Sequence, residues 1–285
     1  MARSGGGKMT RQVNRFDHAV IAVEELEAAI EDYRALGFAV ARGGRHTGRG
    51  THNAIIRFGL DYLELIAIED SQLARAAGGN VADLVGYLER TGGGLLGFAL
   101  AATDLDDIAA NWTSGLAAAG SPVEMERIRP DGGRLAWRLL IPGGSAWRKP
   151  WPFLIEWHTP ERERLAGDTA GGHANGVSRV EGVSVATSSV QKLMKLYAGD
   201  LGLNEGRAGG GARRFELGSF NIEVFEPAAG SPAAESMARE GEGLFEIRLA
   251  ATDAQATGAA RDSARYVLIP ATRTRGARLE RVTLS

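Results

Sequence analysis

The chain has 285 residues, of which 44% are hydrophobic and 24% are charged, and this composition excludes an intrinsically disordered protein. Its net charge of −2 at pH 7 argues against binding to nucleic acid or another polyanion. Because the sequence contains no cysteine, any metal ion would have to be bound by histidine, carboxylate and water.

The N-terminal residues are polar and rich in glycine, and they lack the apolar core of a signal peptide. We therefore interpret residues 1–13 as a flexible leader. The longest nearly apolar stretch, 95–102, is much too short to cross a bilayer. These features predict a cytoplasmic protein with no membrane partner.

The first elements after the leader follow the order strand, helix, strands. Residues 15–23 are a β-rich run with few charges, and 24–36 has apolar residues at helical spacing. A glycine-rich segment, 43–53, is predicted to be a flexible polar loop, and strands are predicted at 53–58 and 62–68. Farther along, the pattern predicts a helix at 81–88 and a loop in the region rich in Ala, Gly, Ser and Pro after Pro227.

The same order of elements returns in the second half of the chain. Residues 179–186 match the first strand, 190–197 match the first helix, and Glu223 corresponds to Glu64. A second set of segments repeats as well: 98–104 with 247–253, 139–142 with 267–270, and 153–157 with 277–281, which puts Glu280 near the position of Glu156.

The repetition predicts four βαβββ modules. They span about 14–70, 96–160, 178–228 and 244–285. We divide them into an N-terminal domain, 14–165, and a degenerate C-terminal domain, 176–285, joined by a segment of linker composition.

Several stretches carry a family resemblance: 16–20 (FDHAV), the glycine-rich 43–54, 62–65 (YLEL), Trp137-Arg138 and 153–157 (FLIEW). With them the chain resembles the glyoxalase-like domain family of the vicinal oxygen chelate superfamily, which also includes glyoxalase I, extradiol dioxygenases and bleomycin-binding proteins. The resemblance implies an α+β fold in which pairs of βαβββ modules form half-open barrels around a cavity.

The resemblance also implies a metal site. In metal-using members, the first and last strands of paired modules each supply a His or Glu to one divalent ion, which can be Mn, Ni, Zn or Fe. His18, Glu64 and Glu156 occupy three of these positions, while Gly97 occupies the fourth and has no side chain to donate. Glu64 or Glu156 would serve as the catalytic base. In the C-terminal half Gly182 replaces the histidine, so a second metal site is not expected.

Polar and aromatic residues near these positions are predicted to contact a small-molecule ligand. Tryptophans beside arginines can form a wall for a flat or anionic molecule, and Trp147 is instead expected to anchor the surface. The predicted contacts are His52, Asn53, Trp137, Arg138, Trp157 and His158. The glycine-rich segment, which also carries His46, Arg49 and Thr51, is either part of this contact surface or an ordinary polar surface loop.

Three functional hypotheses follow. The first is a metal-dependent lyase or isomerase, with dioxygenase-like chemistry also open. The second is a metal-free protein that binds or sequesters a small molecule, in which His18, Glu64 and Arg138 form a polar cavity floor. The third is a structural duplication whose sheets form a homodimer.

Overall fold

Strands outnumber helices in the parts of the chain that a computed structural model describes, residues 12–166, 172–206, 208–252, 265–269 and 274–284. The strands are β1 Val13–Val23, β2 Ala41–His46, β3 Thr51–Phe58, β4 Asp61–Ile68, β5 Gly93–Ala102, β6 Val123–Ile128, β7 Arg134–Leu140, β8 Phe153–Trp157, β9 Val177–Ala186, β10 Asn204–Gly206, β11 Arg213–Leu217, β12 Phe220–Phe225, β13 Gly243–Thr252, β14 Arg265–Ile269 and β15 Leu279–Leu284. The helices are α1 Leu26–Ala35, α2 Ser71–Ala77, α3 Gly79–Thr91, α4 Leu105–Ala110, α5 Glu161–Leu165, α6 Val190–Met194 and α7 Pro232–Glu240, with a π-helical segment at Lys195–Asp200.

The N-terminal half closes into an eight-stranded barrel in the order β1-β4-β3-β2-β6-β7-β8-β5. β1 pairs in parallel with β4 and antiparallel with β5, and β5 pairs in parallel with β8, so two modules of one chain join along β1 and β5. Their other junction is a short antiparallel contact between β2 and β6. The predicted α+β fold of repeated modules is confirmed, although this pair forms a closed barrel where a half-open one was expected.

The C-terminal half repeats this pairing in a seven-stranded sheet of order β10-β11-β12-β9-β13-β15-β14. β9 runs antiparallel to β13 as β1 does to β5, and β15 runs parallel to β13 as β8 does to β5. The domain boundaries at 165 and 176 stay a prediction, and the predicted leader lies almost entirely outside the described residues.

Helix α1 shows how the sequence pattern builds the core. Its buried residues Leu26, Ala29, Ile30 and Tyr33 recur at spacings of three and four, so they share one face of the helix. They belong to a hydrophobic cluster that continues into the C-terminal sheet, where the rings of Phe16 and Phe220 stack 4.5 Å apart. Each fully buried side chain of this kind contributes roughly 1.5–3 kcal/mol.

Two predicted loops are ordered elements. The glycine-rich segment is a hairpin of β2 and β3, turning through Gly50, whose φ of +62° favours glycine. The region after Pro227 contains α7, which the sequence reasoning missed. Its start is fixed by Ser231, whose hydroxyl accepts a hydrogen bond from the Ala234 amide at 3.2 Å, and by Pro232 in the first turn.

No helix in the described ranges is both long and apolar enough to cross a membrane.

Candidate functional site

The barrel encloses a cavity of about 550 Å³. One part of its wall is polar and includes His18, His46, Arg49, Thr51, Glu64 and Arg127. Another part is apolar and aromatic and includes Met125, Trp137, Trp147, Phe153, Ile155 and Trp157. A cavity of this size with a few polar groups in an apolar wall is typical of small-molecule sites.

Three side chains, from β1, β2 and β4, form what we call the polar cluster: His18, His46 and Glu64. The His18 Nε2 atom lies 3.7 Å from Glu64 Oε2, and the His46 Nε2 atom lies 3.7 Å from Glu64 Oε1. Both distances are too long for a direct hydrogen bond. Glu64 is held instead by the side-chain amide of Asn53, which donates to Oε1. The two imidazoles therefore flank a fixed carboxylate.

Asp17 orients His18 from behind the cavity wall. Adjacent residues on a regular strand face opposite sides, but the pairing of β1 with β5 shifts register between Phe16 and His18. This irregularity brings the buried Asp17 Oδ1 within 2.8 Å of His18 Nδ1. Because a carboxylate only accepts, Nδ1 carries the proton, and Nε2 faces Glu64.

Three more groups converge on Asp17. The Trp157 indole donates to its Oδ2 at 2.9 Å, and the guanidinium groups of Arg15 and Arg164 lie 2.7 and 3.3 Å away. Burial opposes ionisation of Asp17, but the hydrogen bond from His18 and the positive charges of Arg15 and Arg164 hold its pKa well below the usual range. The same carboxylate thus anchors both the polar cluster and one tryptophan of the cavity wall.

His46 is set apart by its charge state. Burial, together with the charges of Arg127 and Arg49, lowers its pKa to about 4 against the opposing effect of Glu64. Its Nδ1 lies 3.0 Å from the Thr51 hydroxyl. His46 is therefore a neutral hydrogen-bonding group at pH 7.

The comparisons with known proteins agree with this architecture. A family model described as a glyoxalase-like domain matches residues 16–201. The chain belongs to the glyoxalase-like domain family. No curated protein matches its sequence.

Two of the matching solved structures illustrate the likeness in fold to this glyoxalase-like chain. A hypothetical protein from Staphylococcus aureus has a TM-score of 0.69 at 17% identity, covering 94% of this chain and 99% of that one. A mutant of 4-hydroxymandelate synthase from Streptomyces coelicolor has a TM-score of 0.55 at 13% identity, covering 95% and 93%. At these identities the likeness shows the fold alone.

The structure brings together some predicted site residues of the glyoxalase-like barrel and separates others. His18, Glu64, Trp137 and Trp157 line the cavity, and Asn53 lies directly behind Glu64. The remaining four predicted residues do not line it: Glu156, His52, Arg138 and His158.

Strand alternation explains where Glu156 and Arg138 lie. Ile155 and Trp157 face the cavity, so Glu156 between them faces away. There it accepts a hydrogen bond from the Asp104 amide at 2.9 Å and pairs with Arg138.

His52 and His158 are also displaced from the cavity. His52 follows the cavity-lining Thr51 along β3 and so lies on the opposite face of the strand. His158 is 47% exposed and lies 3.1 Å from the carboxylate of Glu124.

The residues present do not fit the metal site that the resemblance implies. Glu156 is turned away from His18 and Glu64, so the three predicted ligands do not converge. A Cβ atom on Gly97 would lie 2.6 Å from the Ala146 carbonyl oxygen, so the fourth ligand position is filled by backbone. Among the described residues, no group of three His, Asp or Glu side chains is arranged to hold a metal ion.

Sequence reasoning missed Asp17 and Tyr62, placed Trp147 at the surface, and treated His46 and Arg49 only as members of the glycine-rich segment. Tyr62 lines the cavity and stacks on the His18 ring at 4.6 Å. Trp147, expected at the surface, lines the cavity, and its indole donates to the Asn80 carbonyl at 2.6 Å. Strand alternation would have placed His46 on the cavity wall if 43–53 had been identified as a hairpin. No pattern in the sequence predicts the irregularity of β1 at Asp17.

Proposed function

We propose that the barrel binds a small organic molecule through hydrogen bonds and aromatic contacts, without a metal ion as the recognition element. The observation that supports this most is the composition of the cavity wall. Large flat apolar surfaces are provided by Trp137, Trp147 and Trp157, and the polar cluster lines another part of the same cavity.

The polar cluster favours a ligand with a hydrogen-bond donor. With its proton held on Nδ1 by Asp17, His18 presents an acceptor at Nε2, and Glu64 Oε2 is a second acceptor 3.7 Å away. An N–H or O–H group inserted between them satisfies both atoms. Glu64 is only 7% exposed, so a ligand donor also offsets the cost of burying its carboxylate.

The proposal corresponds to the metal-free alternative from the sequence. It does not need the ligand set His18, Glu64 and Glu156. The cytoplasmic location and the homodimer stay predictions.

The direct test is a thermal-shift screen of the full chain with small aromatic compounds, followed by titration of tryptophan fluorescence. Ligand at 100 times its Kd is expected to stabilise the protein by about 2.7 kcal/mol. Glu64→Gln is expected to weaken binding at least tenfold, because the buried acceptor pair loses its charge. Glu161→Gln, at an exposed position on α5, is the matched control.

Binding that is unaffected by Glu64→Gln would contradict the proposed site. Repeating the titration after dialysis against a chelator tests the role of metal. A complete loss of binding that Mn²⁺, Ni²⁺, Zn²⁺ or Fe²⁺ restores would favour the metal-dependent hypothesis instead.

A second candidate, lyase or isomerase chemistry by proton transfer, is favoured by one observation. Asp17, His18 and Glu64 form a chain in which a buried carboxylate orients an imidazole toward a second carboxylate. Such an imidazole is a suitable general base. The test is exchange of an acidic C–H proton of a bound probe in D₂O, followed by NMR. Exchange no faster with wild type than with His18→Gln would rule this candidate out.

A further inference from the structure

Acidic groups are scarce on the cavity wall. Glu64 is the only acidic residue among the described residues that line the cavity, and its carboxylate is held by Asn53 and flanked by His18 and His46. A basic residue on the same wall with no carboxylate beside it would attract a negatively charged ligand.

Arg49 is the arginine placed to receive that charge. It lies in the turn between β2 and β3 and is partly buried at the cavity wall. Within the described part of the chain, its guanidinium makes one side-chain hydrogen bond, from Nη2 to the Met125 sulfur at 3.3 Å, and no ion pair. A thioether is a weak acceptor, so most of the five donors of Arg49 stay available to a ligand.

Neighbouring arginines of the barrel behave differently. Arg45, four residues earlier, pairs with Glu69, and Arg42 pairs with Glu27. Arg138, on the outer face, pairs with Asp106 and Glu156. Thus Arg49, which points to the cavity, lacks the carboxylate that these arginines have.

We propose that Arg49 is the anion-recognition residue of the barrel and that the ligand is a small carboxylic acid with an aromatic body. The planar guanidinium matches a carboxylate in a two-point contact. The body packs on Trp137 and Trp157, whose rings lie 5.1 Å apart and line the cavity. This assignment rests on the proposed function, because it names the ligand class of the same cavity.

The test uses matched probes that differ only in charge: phenylacetate against phenylacetamide, and indole-3-acetate against indole-3-acetamide. Their dissociation constants are measured by calorimetry with the full chain. We expect each carboxylate to bind at least tenfold more tightly than its amide. Arg49→Gln should abolish that preference, and Arg49→Lys should retain part of it, because Lys keeps the charge but not the planar fork.

Arg162→Gln is the control, since the Arg162 side chain is 88% exposed and outside the cavity. Equal binding of acids and amides, or an acid preference that survives Arg49→Gln, would overturn the role of Arg49 and leave the proposed binding function intact. Failure of acids and amides alike to bind wild type would overturn both. If Arg49→Gln proved unstable, the preference of the Arg49→Lys variant, measured against wild type, would decide.

Discussion

The barrel and the C-terminal sheet place different residues at equivalent positions, and the difference changes which side chain fills the space beside the first strand of each half. In the barrel, His18 pairs with Tyr62 on β4 and Ala99 on β5. In the sheet, the equivalent position is Gly182, which pairs with Asn221 on β12 and Arg248 on β13.

In the C-terminal sheet the residue on the first strand is smaller and its partner on β13 is larger, and the larger side chain fills the centre of the sheet. The guanidinium of Arg248 donates to the Ser184 hydroxyl at 2.5 Å and to the Asn221 side-chain oxygen at 2.5 Å. A Cβ atom on Gly182 would lie 2.5 Å from Arg248 Nη2. An internal arginine thus takes the space that a histidine side chain occupies in the barrel.

The carboxylates have correspondingly different partners. Burial lowers the pKa of Arg248, while the charges of Glu223 and Glu246 raise it, so the acids of the sheet have an internal counter-ion. Glu64, the counterpart of Glu223, is flanked by two imidazoles and an amide. The same repeat unit therefore gives its carboxylate an arginine in one half and imidazole and amide neighbours in the other.

The largest expected effect is a difference in the free energy of unfolding between a variant of Asp17 and a variant of its counterpart Glu181. Asp17→Asn removes the charge that holds His18, Arg15 and Arg164, and leaving the buried Arg164 without its carboxylate costs about 3–5 kcal/mol. Glu181 Oε2 is buried without a hydrogen-bond partner among the described residues, so Glu181→Gln should cost less than about 1 kcal/mol. Urea unfolding at pH 7 measures both, and equal midpoints for the two variants would contradict the comparison.

The next effect concerns pH. All five histidines lie at or before residue 173, so the predicted C-terminal domain has none. The folded-state pKa of His46 is about 4 and its ordinary value is 6.5. Between these values the unfolded chain binds a proton that the folded barrel does not, so stability is complete above pH 6.5 and falls as the pH drops toward 4, by about 3 kcal/mol.

Tryptophan fluorescence reports on unfolding of the N-terminal half, because all five tryptophans lie between residues 112 and 157. Urea unfolding followed from pH 7 to pH 4 should show a shallower pH dependence for His46→Gln than for wild type. His158→Gln, at a half-exposed position, should retain the wild-type slope. Parallel slopes for all three proteins would remove His46 from the explanation.

A third effect compares two glycines at crowded positions. A Cβ atom at Gly97 would meet the Ala146 carbonyl oxygen at 2.6 Å, and one at Gly182 would meet the Asn221 carbonyl oxygen at 2.5 Å. Gly97→Ala and Gly182→Ala should each cost about 1–3 kcal/mol, because backbone must move. Only Gly97→Ala should also weaken the binding of aromatic probes, since Ala146 lines the cavity. Calorimetry with indole-3-acetate checks this, and an equal loss of affinity in both variants would contradict it.

The repeat was readable from the sequence because each strand and helix recurs with its own pattern of apolar residues. The prediction for β8 did not take into account which face of the strand each residue occupies, although alternation from Trp157 would have placed Glu156 on the outer face. Asp17 could not be placed by any period, because a register shift breaks the alternation there. The family pattern located His18 and Glu64 on the cavity wall, whereas Arg49 and His46 depend on a hairpin whose glycines predicted a loop.

The smallest effect has opposite signs in the two halves. Burial is the largest single influence and tends to raise the pKa of Glu156, but the hydrogen bonds from Arg138 and from the Asp104 amide and the charge of Arg138 together lower it, so the ionised form stabilises the fold at pH 7. Burial and the charge of Glu246 raise the pKa of Glu280, so its ionised form opposes folding at pH 7. Glu156→Gln should therefore lower the Tm and Glu280→Gln should raise it, each by about 1–3 °C because both sites are partly exposed.

The pH dependence of the Tm differences distinguishes the charge effects of these two substitutions from ordinary packing effects. The stabilisation from Glu156 is present above its unfolded-state pKa and is lost as the pH falls below it. The penalty from Glu280 is complete above its raised folded-state pKa and disappears as the pH falls through its ordinary value. Calorimetric scans at pH 7 and near pH 4 should show both Tm differences shrinking together. Shifts of the same sign at pH 7 would mean that the carboxylates of β8 and β15, despite their matching places in the repeat, have the same electrostatic surroundings.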